Sequence, residues 1–464
     1  VQTEGSASLG IFAASIGGGG GTGGFTTTSI PGATNQMQTV NVELGGDAGA
    51  TGNAQAVSVY SMPSLSGGPE TLVSTTGSYA AGIAAMSIGG GGGLVTLNDT
   101  TTNTQTGGAV STGGLQMSGF QMAGKSAVQA CGGLAATSGT GGTVLVMAQN
   151  VETTGLDAPG VVAQSIGGGG GWVRAAATGG QNYFTSANGL SGNGETTSVN
   201  VTDHVSTAGA GAYGVIAQSI GGAGLLAGDL STVGGSYKAF TPQNRSILNL
   251  GSTGDGGTVQ VDVKADASVT TSGASAAGIF AQSAGGGGGL VASDDVLYMG
   301  TAGGQGTSGP VTVNVDGSVL TTGVNAPAIM VDADSATPST NPVAVNVTGT
   351  VNSTQSDAIV INSNATSNTV SNSGQIDSDS FAVFARRNDV QVNNSASGAI
   401  TGSLQLGNGT LTNLGSWTPT LGGSNYAGSI DNQGTMVLGS GMTAGSLFVP
   451  NTLLTGKLSS TGTL

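Results

Sequence analysis

One phrase recurs five times in this chain, and that recurrence constrains the fold more than any other feature. Aligned on its leading glycine it reads GIFAASIGGGGG at Gly10, GIAAMSIGGGGG at Gly82, GVVAQSIGGGGG at Gly160, GVIAQSIGGAG at Gly214 and GIFAQSAGGGGG at Gly278. A worn version, KSAVQACGG, begins at Lys125. Self-similarity on this scale marks a repeat architecture. The leading glycines are spaced by 72, 78, 54 and 64 residues, too unevenly for a rigid unit. The length varies after the glycines, in excursions such as Trp172–Gly194 and Leu225–Gly257, so the reading is a fixed strand core with variable insertions.

Comparing the copies separates two faces, because a strand alternates its side chains. One set is nearly fixed: Ile or Val, then Ala, then Ser, as in Ile279, Ala281 and Ser283. The other drifts, with Phe12, Ala84, Val162, Ile216 and Phe280 in one slot and Ala14, Met86, Gln164, Gln218 and Gln282 in the next. The degenerate copy AIMVDAD at Ala328 places Asp332 and Asp334 in the drifting set. Unpaired carboxylates are rarely buried, so the fixed set is expected to face the core. The drifting set keeps Ile166, Ile216, Ile220 and Phe280, too apolar for an open stripe. The excursions, or another molecule, are expected to cover it.

Each repeat runs from an alternating Val strand through a turn to the glycine-run strand, as in VQVDV at Val259, VTTSG at Val269 and the run from Gly278. Thr-Thr-Gly or a near variant turns the chain at Thr75, Thr153, Thr271 and Thr321. After Pro310 the excursions stop. VTVNVDGSV at Val311 is echoed at Val343, and AIVI at Ala358 returns as FAVF at Phe381, a step of 23. A second register, at Val370, Val392, Leu411 and Ile430, steps by 22, 19 and 19 and sets Asn372, Asn394, Asn413 and Asn432 in one slot. Stacked Asn side chains can form amide ladders. Two stretches result: residues 1–310, with glycine runs and insertions, and 311–464, with regular coils of 19–24 residues. The fold class expected is all-β, a right-handed parallel β-helix with loop insertions after glycine-rich strand ends. At ~4.8 Å per coil it would make a rod of roughly 80–110 Å. Neither end reads as a cap, and no signal peptide precedes the first repeat, so more solenoid or another domain is expected to adjoin.

Composition narrows the chemistry. Of 464 residues, 89 are Gly, 7% are charged and 37% hydrophobic, and net charge is −15 with eight Lys and Arg. Mean hydropathy is +0.15, which with the alternating Val runs argues for an ordered solenoid rather than disorder. So few cations leave no basic footprint for nucleic acid or an anionic membrane. No apolar run is long enough for a transmembrane helix. The glycine runs lack the helix and the Lys-Ser/Thr pair of a phosphate cradle. Cys131 is single and reads as a small apolar filler. His204, the only histidine, alternates with the valines of VNVTDHV and so faces out, with no partner for base catalysis. The acidic pairs Asp294–Asp295, Asp332/Asp334 and Asp377/Asp379 could hold Ca²⁺ or cleave a glycan, but they are scattered and read as solvated surface. Asp255 in GSTGDGG is a lone echo of a Ca²⁺ repeat. Arg386 and Arg387 form the one basic pair, within ten residues of Asp377 and Asp379. No catalytic, cofactor or metal residues are assigned.

The phrase GI-x-AQSIGGGGG after a Val-rich strand, with NSG-x-I coils behind it, resembles passenger domains of bacterial autotransporters (type V secretion) across nearly the whole chain. The resemblance implies a β-helix exported through the outer membrane and displayed on the bacterial surface. Such proteins commonly end in a β-barrel, whose amphipathic strands this chain lacks. The function expected is a structural or adhesive rod, not an enzyme, mediating attachment or self-association. Its expected partners are itself, or glycans and proteins of cell surfaces. A polysaccharide-acting β-helix enzyme using an acidic pair is the alternative.

Overall fold

The computed structural model describes residues 1–464 apart from 19, 28–37, 45–51, 62–71, 100–105, 113–114, 123–124, 132–138, 177–180, 185–190, 223, 235, 240–251, 294–295, 302, 421–423, 438–451 and 464. Among the described residues there is no α-helix, and a single 3₁₀ turn lies at Leu230–Thr232. A 29-stranded sheet holds most of their strands, and a seven-stranded and a five-stranded sheet stand beside it.

The large sheet is a parallel β-helix built from three ladders. The first stacks the Val strands, so that Val59, Val146, Val199, Val261, Val313, Val345, Val370 and Val392 lie in register one above another. The second ladder follows the first turn, and the third stacks the glycine-run strands. Ile11, Ile83, Val161, Val215, Ile279, Ile329 and Ile359 are successive rungs of the third ladder. The fixed set does face inward. Ala217 lies over Ala281 and Ser219 over Ser283, and Ile279 and Ala281 are fully buried with the inward valines in one continuous core. Burying each Val or Ile contributes roughly 1.5–3 kcal/mol, so stability accumulates coil by coil.

Polar side chains inside the coils tie the turns to the strands. Thr75, Thr153, Thr271 and Thr321 are buried, and each donates its hydroxyl to the carbonyl five residues on, at 2.5 to 2.6 Å. The inward serines fix the chain where it re-enters the next coil. Ser283 donates to the Gly257 carbonyl at 2.8 Å and accepts from the Gly309 N–H at 2.8 Å. The Asn slot forms the expected ladder: Asn372 donates to Asn394 at 2.8 Å, Asn394 to Asn413 at 2.7 Å and Asn413 to Asn432 at 2.7 Å, all four buried.

The glycine run carries the chain off the solenoid into the seven-stranded sheet. Gly92 and Gly170 adopt φ of +152° and +135°, where side chains are disfavoured, and a Cβ on either would lie 2.0 Å from the carbonyl oxygen of the next coil. Beyond the run the excursion strands stack on one another, with Leu94, Trp172, Leu226 and Leu290 in register. These side chains close over the outer face of the third ladder, making a second core with Met86, Ile166, Ile216, Phe280 and Met330. The excursions therefore cover the drifting face, as its apolar content required.

Three expectations are corrected. Among the described residues the middle ladder runs through eleven strands, from Gln2–Thr3 to Thr435–Met436. At ~4.8 Å per step it spans about 50 Å rather than 80–110 Å, because much of the chain builds the side sheets. The worn copy at Lys125–Cys131 is not a coil. It belongs to the five-stranded sheet and pairs antiparallel with Leu115–Met122; the Cys131 side chain lies outside the described residues. The step from AIVI to FAVF is 24, with Ile359 opposite Val383. Register shifts between Asp377, Phe381 and Val383 occur against the next coil, where Gln375–Ala385 pairs with Ala399–Gln405.

Candidate functional site

The drifting slot of the third ladder holds a buried polar line. Gln164, Gln218, Gln282, Asp332 and Asn362 stack in register, and none is more than 1% exposed beneath the covering sheet. The amide of Gln164 donates to Gln218 at 2.7 Å and that of Gln218 to Gln282 at 2.7 Å. Gln282 then donates to Asp332 Oδ2 at 2.5 Å, and Asn362 donates to Asp332 Oδ1 at 2.6 Å from the other side. A file of amide donors on one side and the single amide of Asn362 on the other thus converge on one carboxyl group.

Asp332 and Asp334 point into the second core at 0% and 1% exposure, so they are not the solvated surface their spacing suggested. Cover from strands distant in sequence makes the difference. Burial pushes Asp332 up to about 7, reinforced by the charge of Asp334; the amides of Gln282 and Asn362 and the charge of Arg387 pull it back. Burial also raises Asp334, against the opposing pull of Arg387 and of backbone N–H donors at Thr301 and Ser335. Arg387 closes the cluster by an ion pair with Asp334. Of the basic pair, Arg387 therefore serves Asp334, 53 residues upstream, and not the neighbouring Asp377 and Asp379. Those two lie on the outside, Asp377 bonded to Gln375 at 2.5 Å.

Arg386 points to the edge of the cover. It donates to the Tyr237 carbonyl and lies over the Tyr237 ring at 5.6 Å from the centroid. Its Nη1 is buried and has no hydrogen-bond partner. The Tyr237 hydroxyl reaches the Asn325 carbonyl at 2.9 Å, pinning the cover to the solenoid turn. Beside these residues opens a pocket of about 470 Å³ lined by Tyr237, Lys238, Gln355, Asp357, Phe384 and Arg386, among others. Burial raises Asp357, although it accepts from Ser380 and from the Phe381 N–H. Burial lowers Arg386, opposed by Tyr237, Asp332 and Asp357. The sequence signal for this place is the Arg386–Arg387 pair; of its partners, Asp334 and Asp357 come from two other coils and Tyr237 from the cover.

The remaining residues singled out in the sequence are dispersed. His204 is exposed, 3.0 Å from Asp203 and 3.2 Å from the Ser268 hydroxyl. Asp255 caps the next rung, accepting from the Thr307 N–H at 2.8 Å and its hydroxyl at 2.9 Å. Asp294 and Asp295 lie outside the described residues. Among the described residues no three His, Cys, Asp or Glu side chains converge as a metal-ligand set, and no helix is long and apolar enough to cross a membrane. No protein-family model matches the chain, and no curated protein or solved structure does so either.

Proposed function

We propose that the chain is the passenger part of a bacterial autotransporter: a rod exported across the outer membrane and displayed at the cell surface, where it mediates attachment and lateral self-association. One observation supports this most, the outer face of the first ladder after residue 310. Asn314, Asn346, Ser371, Asn393, Thr412 and Asp431 stack in register there. All are half-buried or exposed. Asn346 donates to Asn314 at 2.9 Å, so part of the row is already ordered. A shallow groove of about 490 Å³ follows the row past Thr348, Ser373, Ser395 and Leu414.

Hydrogen bonds across such a face are individually worth about 1 kcal/mol, and they add along a rod through multivalency. The face carries few charges, so salt screening changes the association little. The paired acids Asp332 and Asp334 are sealed beneath the cover, so they have no access to a polymer substrate. Light scattering on the purified chain tests the reading. The expected result is association that grows with concentration, persists at high salt and is abolished by Asn393→Lys with Thr412→Lys. A strictly monomeric rod at every concentration and salt level overturns it.

A further inference from the structure

We propose that the pocket bounded by Tyr237, Lys238, Gln355, Asp357, Phe384 and Arg386 binds a sugar ring that carries a carboxylate, the repeating element of an acidic glycan. The proposal extends the attachment half of the reading above and is independent of self-association, because this pocket lies at the edge of the covering sheet rather than on the outer face of the first ladder.

The distribution of charge is the first argument. The chain has only eight Lys and Arg against a net charge of −15, yet Lys238, Arg386 and Arg387 gather here. Arg387 is occupied by Asp334. Lys238 is exposed and takes part in none of the ion pairs among the described residues. Arg386 uses Nη2 on the Tyr237 carbonyl and leaves Nη1 without a partner. A buried guanidinium nitrogen with an unmet hydrogen bond is costly; Nη1 is closed to water in this conformation, and a turn of the Arg386 side chain into the pocket that it lines would let a carboxylate satisfy it.

The lining supplies the second argument. Phe384 stacks on Phe381 with centroids 5.1 Å apart, a braced apolar face. Gln355, Asp357 and Ser380 add an amide, a carboxyl and a hydroxyl. Apolar faces set among groups that both donate and accept match a pyranose, which presents C–H faces and a rim of hydroxyls. The volume, about 470 Å³, falls in the range of small-ligand sites. Asp357 selects against a dianion: a phosphate would bring two charges toward that carboxyl, whereas one carboxylate can sit between Lys238 and Arg386.

Calorimetric titration of the whole chain tests this with three probes: a glucuronic-acid oligosaccharide, its carboxyl-reduced neutral counterpart and inorganic phosphate. It is run at a protein concentration where scattering reports single rods. The acidic oligosaccharide is expected to saturate a single site, and the neutral one to bind at least about tenfold more weakly. Lys238→Gln, on an exposed side chain, is expected to weaken binding about two- to fivefold without changing the melting temperature. Arg386→Gln is expected to weaken it about tenfold or more. Equal binding of the two sugars, displacement by equimolar phosphate, no saturable binding, or unchanged binding by Lys238→Gln each overturns the proposal. Glycan binding by a chain that scattering shows to be monomeric at every concentration and salt level would sink the self-association reading and leave this one standing.

Discussion

Replacing Asn394 by Asp keeps the shape of a ladder rung and reverses its chemistry. The Asn394 amide nitrogen donates to Asn413 Oδ1 at 2.7 Å, to the Ser416 carbonyl at 3.0 Å and to the Gly398 carbonyl at 3.2 Å, while its Oδ1 accepts from Asn372 at 2.8 Å. In Asn394→Asp a carboxylate oxygen would face three acceptors at a position 1% exposed. Burial and three opposing dipoles would raise its pKa by roughly 3 units, about 4 kcal/mol of destabilisation at pH 7. Because the folded-state pKa lies above the unfolded one, the neutral acid favours the fold. The charge penalty is therefore absent below about pH 4 and grows as pH rises toward the folded value. At pH 4 the hydroxyl restores one hydrogen bond, leaving a deficit of about 1–2 kcal/mol. Urea unfolding at both pH values, with hydrogen exchange on the coils above and below, measures this in a solenoid that need not unfold as one unit. Asn393→Asp, one residue away and exposed, is the control and is expected to change stability by less than about 0.5 kcal/mol. Wild-type stability of Asn394→Asp at pH 7, or an equal deficit at both pH values, would refute the reasoning.

Asp332→Asn is expected to have the opposite sign: with its amide turned, the donor chain from Gln164 passes on through Asn362 and no carboxyl remains in that file. Since Asp332 is raised from 3.8 to about 7, the wild type should lose stability as pH climbs through that window, by up to about 4 kcal/mol. Melting curves from pH 4 to pH 8 should show the loss flattened in Asp332→Asn; an undiminished slope would place its origin elsewhere. Ala281→Asp sets an unpaired charge in the interior between Ala217 and Val331 and should cost several kcal/mol, about 3 or more. A wild-type melting temperature for that variant would count against the inward assignment.

The solenoid was legible because its constraints are local and repeated. Comparing copies at Ile279, Ala281 and Ser283 sufficed to separate inside from outside, and the spacing of Asn372, Asn394, Asn413 and Asn432 sufficed to place them in one stack. The candidate site was not legible, because its constraints are neither local nor repeated. Asp332 looked solvent-facing since nothing near it in sequence marks the hairpin Gly288–Thr301 that covers it. The substitutions from Ala14 to Met86 to Gln164 looked like tolerance, whereas Gln164, Gln218 and Gln282 form one continuous hydrogen-bonded file. Arg386 and Arg387 drew notice as a charge pair, but their nearest acids in the chain are not their nearest acids in space. Asp332 and Asp334 do not mark a solvent face, because both faces of that strand are buried.

The covering sheet also has a mechanical meaning. Every rung that sends out an excursion is held to its neighbours along two seams, one in the solenoid and one in the cover. Among the described residues, the coils from Val311 onward send no strand into the cover, and beyond the contacts of Arg386 with Tyr237 and Arg387 with Asp334 they are held along the solenoid alone. A pull along the axis would therefore peel the singly seamed coils first and stall where the second seam begins, near the clasp of Asp334 with Arg387. The rod is in effect a stiff shaft joined to a sacrificial length, able to give way under load at one end while the other keeps its shape.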